Sequence, residues 1–168
     1  MTPLPPDAEL LFNALCTQIA PTAAAIDGWV GIYSGGVWIA ERLRNALAPD
    51  RPLGTIDVSF YRDDLAQRGL GRSKVLPTTL PFAVDGAQIL LVDDVLYTGR
   101  TVRAAINELF DYGRPARIWL ATLVDRGGRE LPICPDFCPW RAPEPLPSLL
   151  RLELVRTPDE TFCWELIR

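Results

Sequence analysis

Hydrophobic residues recur along the chain in two spacings, and the order of these spacings predicts an α/β fold. Apolar runs bounded by glycine or polar residues predict buried strands over 29–33, 54–61, 87–95 and 117–124. Apolar residues three or four positions apart predict a helix after the first and third runs, and another over 7–20 that Asp7 is placed to cap. The expected buried faces of the two later helices are Val37, Ala40, Leu43 and Leu47, then Val102, Ala105, Ile106, Leu109 and Phe110. Strand, turn, helix and strand form a βαβ unit, so two such units predict a parallel central sheet with flanking helices.

The other stretches of the chain predict loops and one pair of strands. Residues 62–86 are polar and contain glycine and proline, which indicates a long loop with room for a short hairpin. Residues 126–148 are rich in proline and show no period. The sequences SLLRLELVR and ETFCWELI then predict two strands joined by the turn TPDE. No repeat or linker divides the chain, so we expect a single domain over 1–168.

Charge and composition narrow the chemistry that the protein can perform. The net charge is −4, which argues against a large sequence-independent nucleic-acid footprint. The chain has no histidine, which removes Ser–His and Cys–His pairs and most catalytic zinc sites. No apolar run reaches transmembrane length and the N-terminus lacks a signal-peptide pattern, so we expect a cytoplasmic protein without a membrane partner. Catalysis must therefore use carboxylates, hydroxyls, arginines, backbone amides or a bound hard metal ion.

The strand predicted over 87–95 ends in residues with binding chemistry. Its sequence, ILLVDDVLYTGRT, places Asp93 and Asp94 at the carboxyl end, where ligands bind in an open α/β sheet. Gly99 lets backbone amides turn inward at the start of the next helix, and Thr98 and Thr101 add hydroxyl groups. This turn suits a phosphate, and the two carboxylates suit ribose hydroxyls or Mg²⁺. The stretch therefore predicts a phosphorylated sugar as ligand; the alternative is solvated aspartates and a threonine that only caps the helix.

The same stretch resembles the phosphoribosyl-pyrophosphate (PRPP) motif of type I phosphoribosyltransferases, in which an apolar strand and two acids precede Thr-Gly-x-Thr. A closer resemblance, to the PyrR family, covers about residues 29–133 through TIDVSFYRDDL (55–65), VDDVLYTGRTVRAA (92–105), GRPARI (113–118) and LVDRGGRELPI (123–133). It implies a five-stranded parallel sheet, a small hood and a mobile loop over the active site. Members of that family convert PRPP and uracil to UMP and pyrophosphate, and they also attenuate pyrimidine operons by binding mRNA.

The resemblance also implies roles for particular residues. Asp93 and Asp94 would be catalytic and bind the PRPP ribose, directly or through Mg²⁺. The 5′-phosphate would lie on Tyr97, Thr98, Gly99, Arg100 and Thr101. The pyrophosphate would lie on the turn of Ser34, Gly35 and Gly36. Arg62 would be a further catalytic residue at the start of a lid over 62–80. The hood would comprise about 126–168 with the N-terminal segment, and we expect a homodimer or higher homo-oligomer.

The base pocket is implied to lie after the strand over 117–124. Asp125, Arg126 and Gly127 would line it, and Phe137 would stack on the base. The alternative for Phe137 is packing in the hood core. Related purine enzymes tend to place a lysine at the position of Asp125, so aspartate argues against 6-oxopurines.

Three departures from the PyrR pattern keep more than one function open. The turn IYSGGV (32–37) lacks the family's lysine and arginine, although its backbone amides suit pyrophosphate. Gly128 replaces a histidine, and CPWRAPEPLPS (138–148) replaces a segment that reaches the RNA-facing side in relatives. The functions to be compared are a uracil phosphoribosyltransferase, an RNA-binding nucleotide sensor with little catalysis, and a transferase for another base. RNA binding would depend on arginines such as Arg68, Arg72 and Arg141, and we expect it to be weak or absent.

Overall fold

The computed structural model of the protein describes residues 3–59 and 76–167. The helices are α1 (Ala8–Ile19), α2 (Gly35–Leu47) and α3 (Arg100–Asp111), with a short 3₁₀ turn at Ala23–Ala25. The strands are β1 (Gly28–Ile32), β2 (Leu53–Ile56), β3 (Gln88–Leu96), β4 (Arg117–Asp125), β5 (Trp140–Arg141), β6 (Arg151–Arg156) and β7 (Phe162–Ile167). The predicted cap of α1 is confirmed, because the Asp7 carboxylate accepts the backbone N–H of Glu9 at 2.9 Å and of Leu10 at 3.2 Å.

The first five strands form one parallel sheet in the order β2-β1-β3-β4-β5. Side chains alternate across it: in β3, Leu90 and Val92 face the core that includes α1 and α2, and Ile89 and Leu91 face the core that includes α3. Because helices cover both faces, the central strands carry apolar runs, such as residues 89–92 of β3. This arrangement confirms the predicted α/β fold with a parallel central sheet and flanking helices.

The last two strands form an antiparallel hairpin, β6–β7, which packs against α1 and α2. Arg42 of α2 makes two hydrogen bonds to the Glu9 carboxylate, at 2.7 and 3.0 Å, and its guanidinium lies over the rings of Phe12 and Phe162. Glu9 also accepts the backbone N–H of Phe162 at 2.6 Å. These contacts fix the hairpin to the helices, and they confirm the two strands predicted at the end of the chain.

Two strand predictions were inaccurate at particular residues. The strand expected over 54–61 ends at Ile56, because the Asp57 carboxylate accepts the Ser59 N–H at 2.9 Å and turns the chain. The short strand β5 was missed, since its two residues lie within a proline-rich stretch that has no strand period.

The buried faces of two helices differ from the predicted ones. In α2, Ile39 is buried, whereas Val37 and Leu47 are half-buried. In α3, Ala104 is buried, whereas Ile106 is half-buried and Phe110 is 42% exposed.

The predicted loop over 62–86 lies largely outside the described residues. Within its described part, Thr79 makes an antiparallel bridge to Thr55 at the edge of β2. In residues 3–59 and 76–167, no helix has the length and apolar character needed to cross a bilayer.

Candidate active site

The functional groups expected from the sequence gather at the carboxyl edge of the parallel sheet. β1, β3 and β4 are neighbours there, and Leu96 at the end of β3 pairs with Asp125 at the end of β4. A cavity of about 550 Å³ opens at this edge, a volume suited to a small-molecule ligand. The predicted site residues that line it are Ser34, Gly35, Asp93, Asp94, Tyr97, Thr98, Gly99, Thr101 and Arg126. Three other predicted residues are neighbours of these in the chain but do not line the cavity: Gly36, Arg100 and Asp125. Arg62 lies outside the described residues.

The turn before α3 has the geometry of a phosphate nest. Gly99 adopts φ +94°, a left-handed conformation that side chains rarely take. Thr98 is buried; its hydroxyl oxygen accepts the Arg100 N–H at 3.2 Å, and its carbonyl accepts N–H groups from Glu130 and Leu131. The N-terminus of α3 adds a partial positive charge. The nest can therefore bind an anion without a lysine.

The two carboxylates before the nest are held by local hydrogen bonds. An oxygen of Asp93, which is 5% exposed, accepts the backbone N–H of Asp94 at 3.0 Å. Asp94 in turn accepts the N–H of Val95 at 2.8 Å. Since one oxygen of each carboxylate accepts a backbone hydrogen bond, the orientation of both carboxylates at the cavity is fixed.

The glycine turn after β1 packs directly against these carboxylates. A Cβ atom on Gly35 would lie 2.5 Å from an oxygen of Asp94, and one on Gly36 would lie 2.3 Å from the carbonyl oxygen of Val92. Any side chain at either position would push the turn away from β3. The peptide bond between Tyr33 and Ser34 is cis. Because α2 begins at Gly35, a second helix N-terminus reaches the same cavity.

The Asp125 carboxylate is occupied by a neighbouring arginine. Arg129 Nη2 lies 2.6 Å from Asp125 Oδ2, and the other carboxylate oxygen accepts the Gly127 N–H at 3.1 Å. The same guanidinium donates to the carbonyl oxygen of Tyr97. Asp125 and Arg129 therefore position the chain that leads into the nest, a structural role that the sequence did not indicate.

Arg126 lies on the cavity wall and connects two segments. Its guanidinium carbon is 4.3 Å from the centre of the Tyr97 ring, and its Nη2 donates to the carbonyl oxygens of Leu146 and Pro147 at 3.5 and 2.7 Å. Its Nε is buried without a hydrogen-bond partner among the described residues. Burial lowers the pKa of this guanidinium, because desolvation disfavours the charged form, and Tyr97 acts in the opposite direction.

The departure from the family pattern at Gly128 has a steric explanation. Gly128 adopts φ +78°, and a Cβ atom there would lie 2.5 Å from the Tyr97 ring. A histidine at this position would therefore require the ring of Tyr97 to move.

Phe137 does not reach the cavity. It bridges to Ala121 in the middle of β4, with its N–H bound to the Leu120 carbonyl, whereas the strand ends four residues later at Asp125. Its partly buried side chain packs against the core cluster that contains α1 and the hairpin. These contacts favour the core alternative for Phe137.

The cavity has a second wall, made by Ser148 and strand β6, that the sequence analysis did not assign to the site. Arg151 and Glu153 line it, as does Trp38 of α2 on the adjoining side. The sequence SLLRLELVR predicted a strand but gave no indication that this strand would line the cavity.

Comparison with known proteins shows that the chain belongs to the phosphoribosyltransferases. Residues 15–144 match the family model of the phosphoribosyl transferase domain. A purine phosphoribosyltransferase from Pyrococcus horikoshii is 28% identical with a TM-score of 0.59, over 80% of this chain and 81% of that chain. A hypoxanthine phosphoribosyltransferase from Staphylococcus aureus shares the fold, with a TM-score of 0.63 at 17% identity over 86% and 81% of the two chains.

Sequence relatives identify the family within that class. A protein of Pseudomonas paraeruginosa named bifunctional protein PyrR is 53% identical over 136 residues, which is 79% of each chain. The protein of that name from Ralstonia nicotianae is 56% identical over 135 residues, 78% of this chain and 76% of the relative. This chain belongs to the PyrR family of type I phosphoribosyltransferases.

Proposed function

We propose that the protein transfers the phosphoribosyl group of PRPP to uracil, giving UMP and pyrophosphate. The observation that carries this proposal is that a phosphate nest and a fixed pair of carboxylates open into one cavity. The nest at Thr98–Thr101 suits the 5′-phosphate, and Asp93 and Asp94 suit the ribose hydroxyls. Membership of the PyrR family supports uracil as the acceptor.

The reaction breaks the bond between the anomeric carbon and pyrophosphate and forms a bond from that carbon to N1 of uracil. N1 loses its proton to the departing pyrophosphate or to water, and the sugar passes through a state with oxocarbenium character. Asp93 and Asp94 would hold the ribose and place negative charge near the developing cation. The protein accelerates such a reaction mainly by orienting the two substrates and stabilising charge, which needs no histidine.

Pyrophosphate would leave along the turn of Ser34, Gly35 and Gly36. The backbone amides of that turn and the N-terminus of α2 can replace the absent cations, because helix N-termini bind anions. Mg²⁺ that accompanies PRPP would be held by the oxygens of Asp93 and Asp94, which are the hard donors that this ion prefers. When bound, the ion would neutralise charge on the leaving pyrophosphate. Arg62 stays a predicted catalytic residue.

A transferase for another base is the competing enzyme. The Asp125 carboxylate already binds Arg129 and the Gly127 N–H, so it is not available to recognise a purine. The deciding experiment measures initial rates of pyrophosphate release with PRPP, Mg²⁺ and uracil, cytosine, hypoxanthine or guanine. We expect turnover with uracil alone; faster turnover with a purine would replace uracil in the proposal.

A second candidate function is regulation through RNA, which the name of the bifunctional relatives supports. Of the arginines considered above, Arg141 already contacts Cys134 Sγ at 3.7 Å and the Pro135 carbonyl at 3.2 Å; the other two lie outside the described residues. We expect specific RNA affinity to be weak. A gel shift with the leader of a pyrimidine operon tests this, and tight salt-resistant binding that UMP enhances would contradict it.

Size-exclusion chromatography tests the expected homo-oligomer.

A further inference from the structure

The exposed side of helix α3 carries a groove of about 370 Å³ that is separate from the catalytic cavity. Two rows of side chains, four residues apart within each row, form most of its lining. The first row is Arg103, Asn107 and Asp111, and the second is Ala104 and Glu108, with Phe110 at the margin. The first row is exposed, whereas the small side chain of Ala104 is buried and leaves the space between the rows open.

The charges are separated along this groove. Arg103 lies in the first turn of α3, and Glu108 and Asp111 lie in the last turn. The helix macrodipole favours acidic residues in the first turn and basic residues in the last, and α3 has neither. The order of charges along the groove is therefore the reverse of the order that stabilises a single helix.

Contacts within the chain do not account for this order either. Among the residues that the structure describes, the side chains of Arg103 and Asp111 form no hydrogen bond and no ion pair. By contrast, Arg100 at the start of the same helix pairs with Glu130 at 2.8 Å. The charges of the exposed row are thus available to a second molecule.

A second copy of the same groove has the complementary order of charges. We consider two α3 helices that lie antiparallel about a two-fold axis beside Asn107. Arg103 of each copy then faces Asp111 of the other, because both residues are four positions from Asn107. The two residues are about 12 Å apart along the helix in both copies, so the two ion pairs can form together. The Asn107 amide, which has a donor and an acceptor, faces the same amide of the other copy.

The usual packing of helices permits this contact. Side chains four residues apart form ridges, and the ridges of one helix fit the grooves of another at a crossing angle of about −50°. In that packing the ridges of both helices run side by side, so the first row of one copy lies in the groove beside Ala104 of the other. Since α3 has only 12 residues, the buried area is smaller than that of a standard interface, and the association should be reversible.

We propose that this groove is an isologous interface, which joins two copies of the chain through reciprocal Arg103–Asp111 ion pairs. The partner is a second copy of this chain, because the groove and its charges are complementary to themselves. The inference goes beyond the proposed function and does not rest on it, since no residue of the groove lines the catalytic cavity.

Sedimentation velocity over a range of protein concentrations tests the interface with two charge reversals. Arg103→Glu or Asp111→Arg alone places like charges together at both ends of the dimer. We expect each variant to raise the dissociation constant by about tenfold or more. An equimolar mixture of the two variants restores opposite charges at both ends, so it should associate about as strongly as wild type. Asp159→Arg, at an exposed turn position outside the groove, changes the net charge as Asp111→Arg does and is the matched control.

The other outcomes would overturn the inference. They are wild-type protein that stays monomeric, single variants that associate as strongly as wild type, and a mixture that associates no better than its components. If a different face also joins copies, each variant should still lose one association step and the mixture should regain it. If thermal melting shows that a reversal is unfolded, Arg103→Gln takes its place and should weaken association several-fold; unchanged association would then overturn the inference.

Discussion

The two walls of the cavity are built in opposite ways. The nest wall is one continuous segment, 93–101, in which neighbouring residues bind each other's backbone and Gly99 sets the turn. The hairpin wall depends on distant contacts, with Leu152, Leu154 and Phe162 packed against α1. The nest wall is therefore determined mainly by its own segment, whereas the position of the hairpin wall depends on residues far apart in the chain.

The largest expected effect tests the support of the hairpin wall. Phe137→Ala should lower the free energy of unfolding by about 3–4 kcal/mol, because the ring packs against the core cluster that includes the hairpin. Denaturant unfolding measures the change, and Phe110→Ala, at an exposed position, is the control. Ribose 5-phosphate affinity of the folded fraction should stay at the wild-type value. Selective loss of uracil affinity without loss of stability would restore Phe137 to the base site.

The next effect concerns the nest wall alone. Gly99→Val should weaken PRPP binding by about 2–3 kcal/mol, because a β-branched residue resists positive φ and its Cβ would crowd Ile133 at 3.1–3.2 Å. Thr98→Ser keeps the hydroxyl that accepts the Arg100 N–H and should bind PRPP nearly as well. Isothermal titration with PRPP and Mg²⁺ compares the two variants. Normal PRPP binding by Gly99→Val would show that this turn does not hold the phosphate.

A smaller effect is expected at the carboxylate pair. Asp94→Asn keeps the shape and the hydrogen bond to Val95 but removes the charge, so PRPP affinity should fall by about 1–2 kcal/mol. The unfolding midpoint should change little, because the residue lies at the end of a strand. Asp111→Asn, an exposed carboxylate at the far end of α3, serves as the control. Unchanged PRPP affinity in Asp94→Asn would remove this residue from the ribose site.

The smallest expected effect is a pH dependence of the hairpin attachment. The hydrogen bond from Arg42 lowers the pKa of Glu9 below 4.5, with a further contribution from the Phe162 N–H. A lowered pKa in the folded state stabilises the protein above the unfolded pKa, and this stabilisation is lost as the pH falls through the folded pKa. The pair lies near the surface, so the loss should stay below about 1 kcal/mol. The measurement is the free energy of unfolding of wild type and of Glu9→Gln from pH 6 to pH 3, about the range in which carboxylates titrate. The two values should converge as the pH falls. A constant difference between them would contradict the linkage.

The sequence predicted the parts of the molecule whose structure is determined by residues close together in the chain. Asp93, Asp94 and the nest follow one another after an apolar run, so both the strand and its binding turn could be predicted from that segment. β2 was predicted too long because a single side chain, Asp57, replaces the strand pairing. β5 has two residues and no period of its own. The hairpin strands were predicted, but their place beside the cavity follows from packing against α1, which no local pattern records.

The shared contacts of Arg126 make the two walls thermodynamically dependent on each other. One guanidinium stacks on Tyr97, next to the nest, and binds the carbonyls of Leu146 and Pro147, just before the hairpin. A ligand that orders one wall reduces the loss of conformational entropy that accompanies binding of a second ligand at the other wall. By linkage, any factor by which PRPP raises the affinity for uracil is the factor by which uracil raises the affinity for PRPP. Arg126 would then set the strength of this coupling, which is the same whichever substrate binds first.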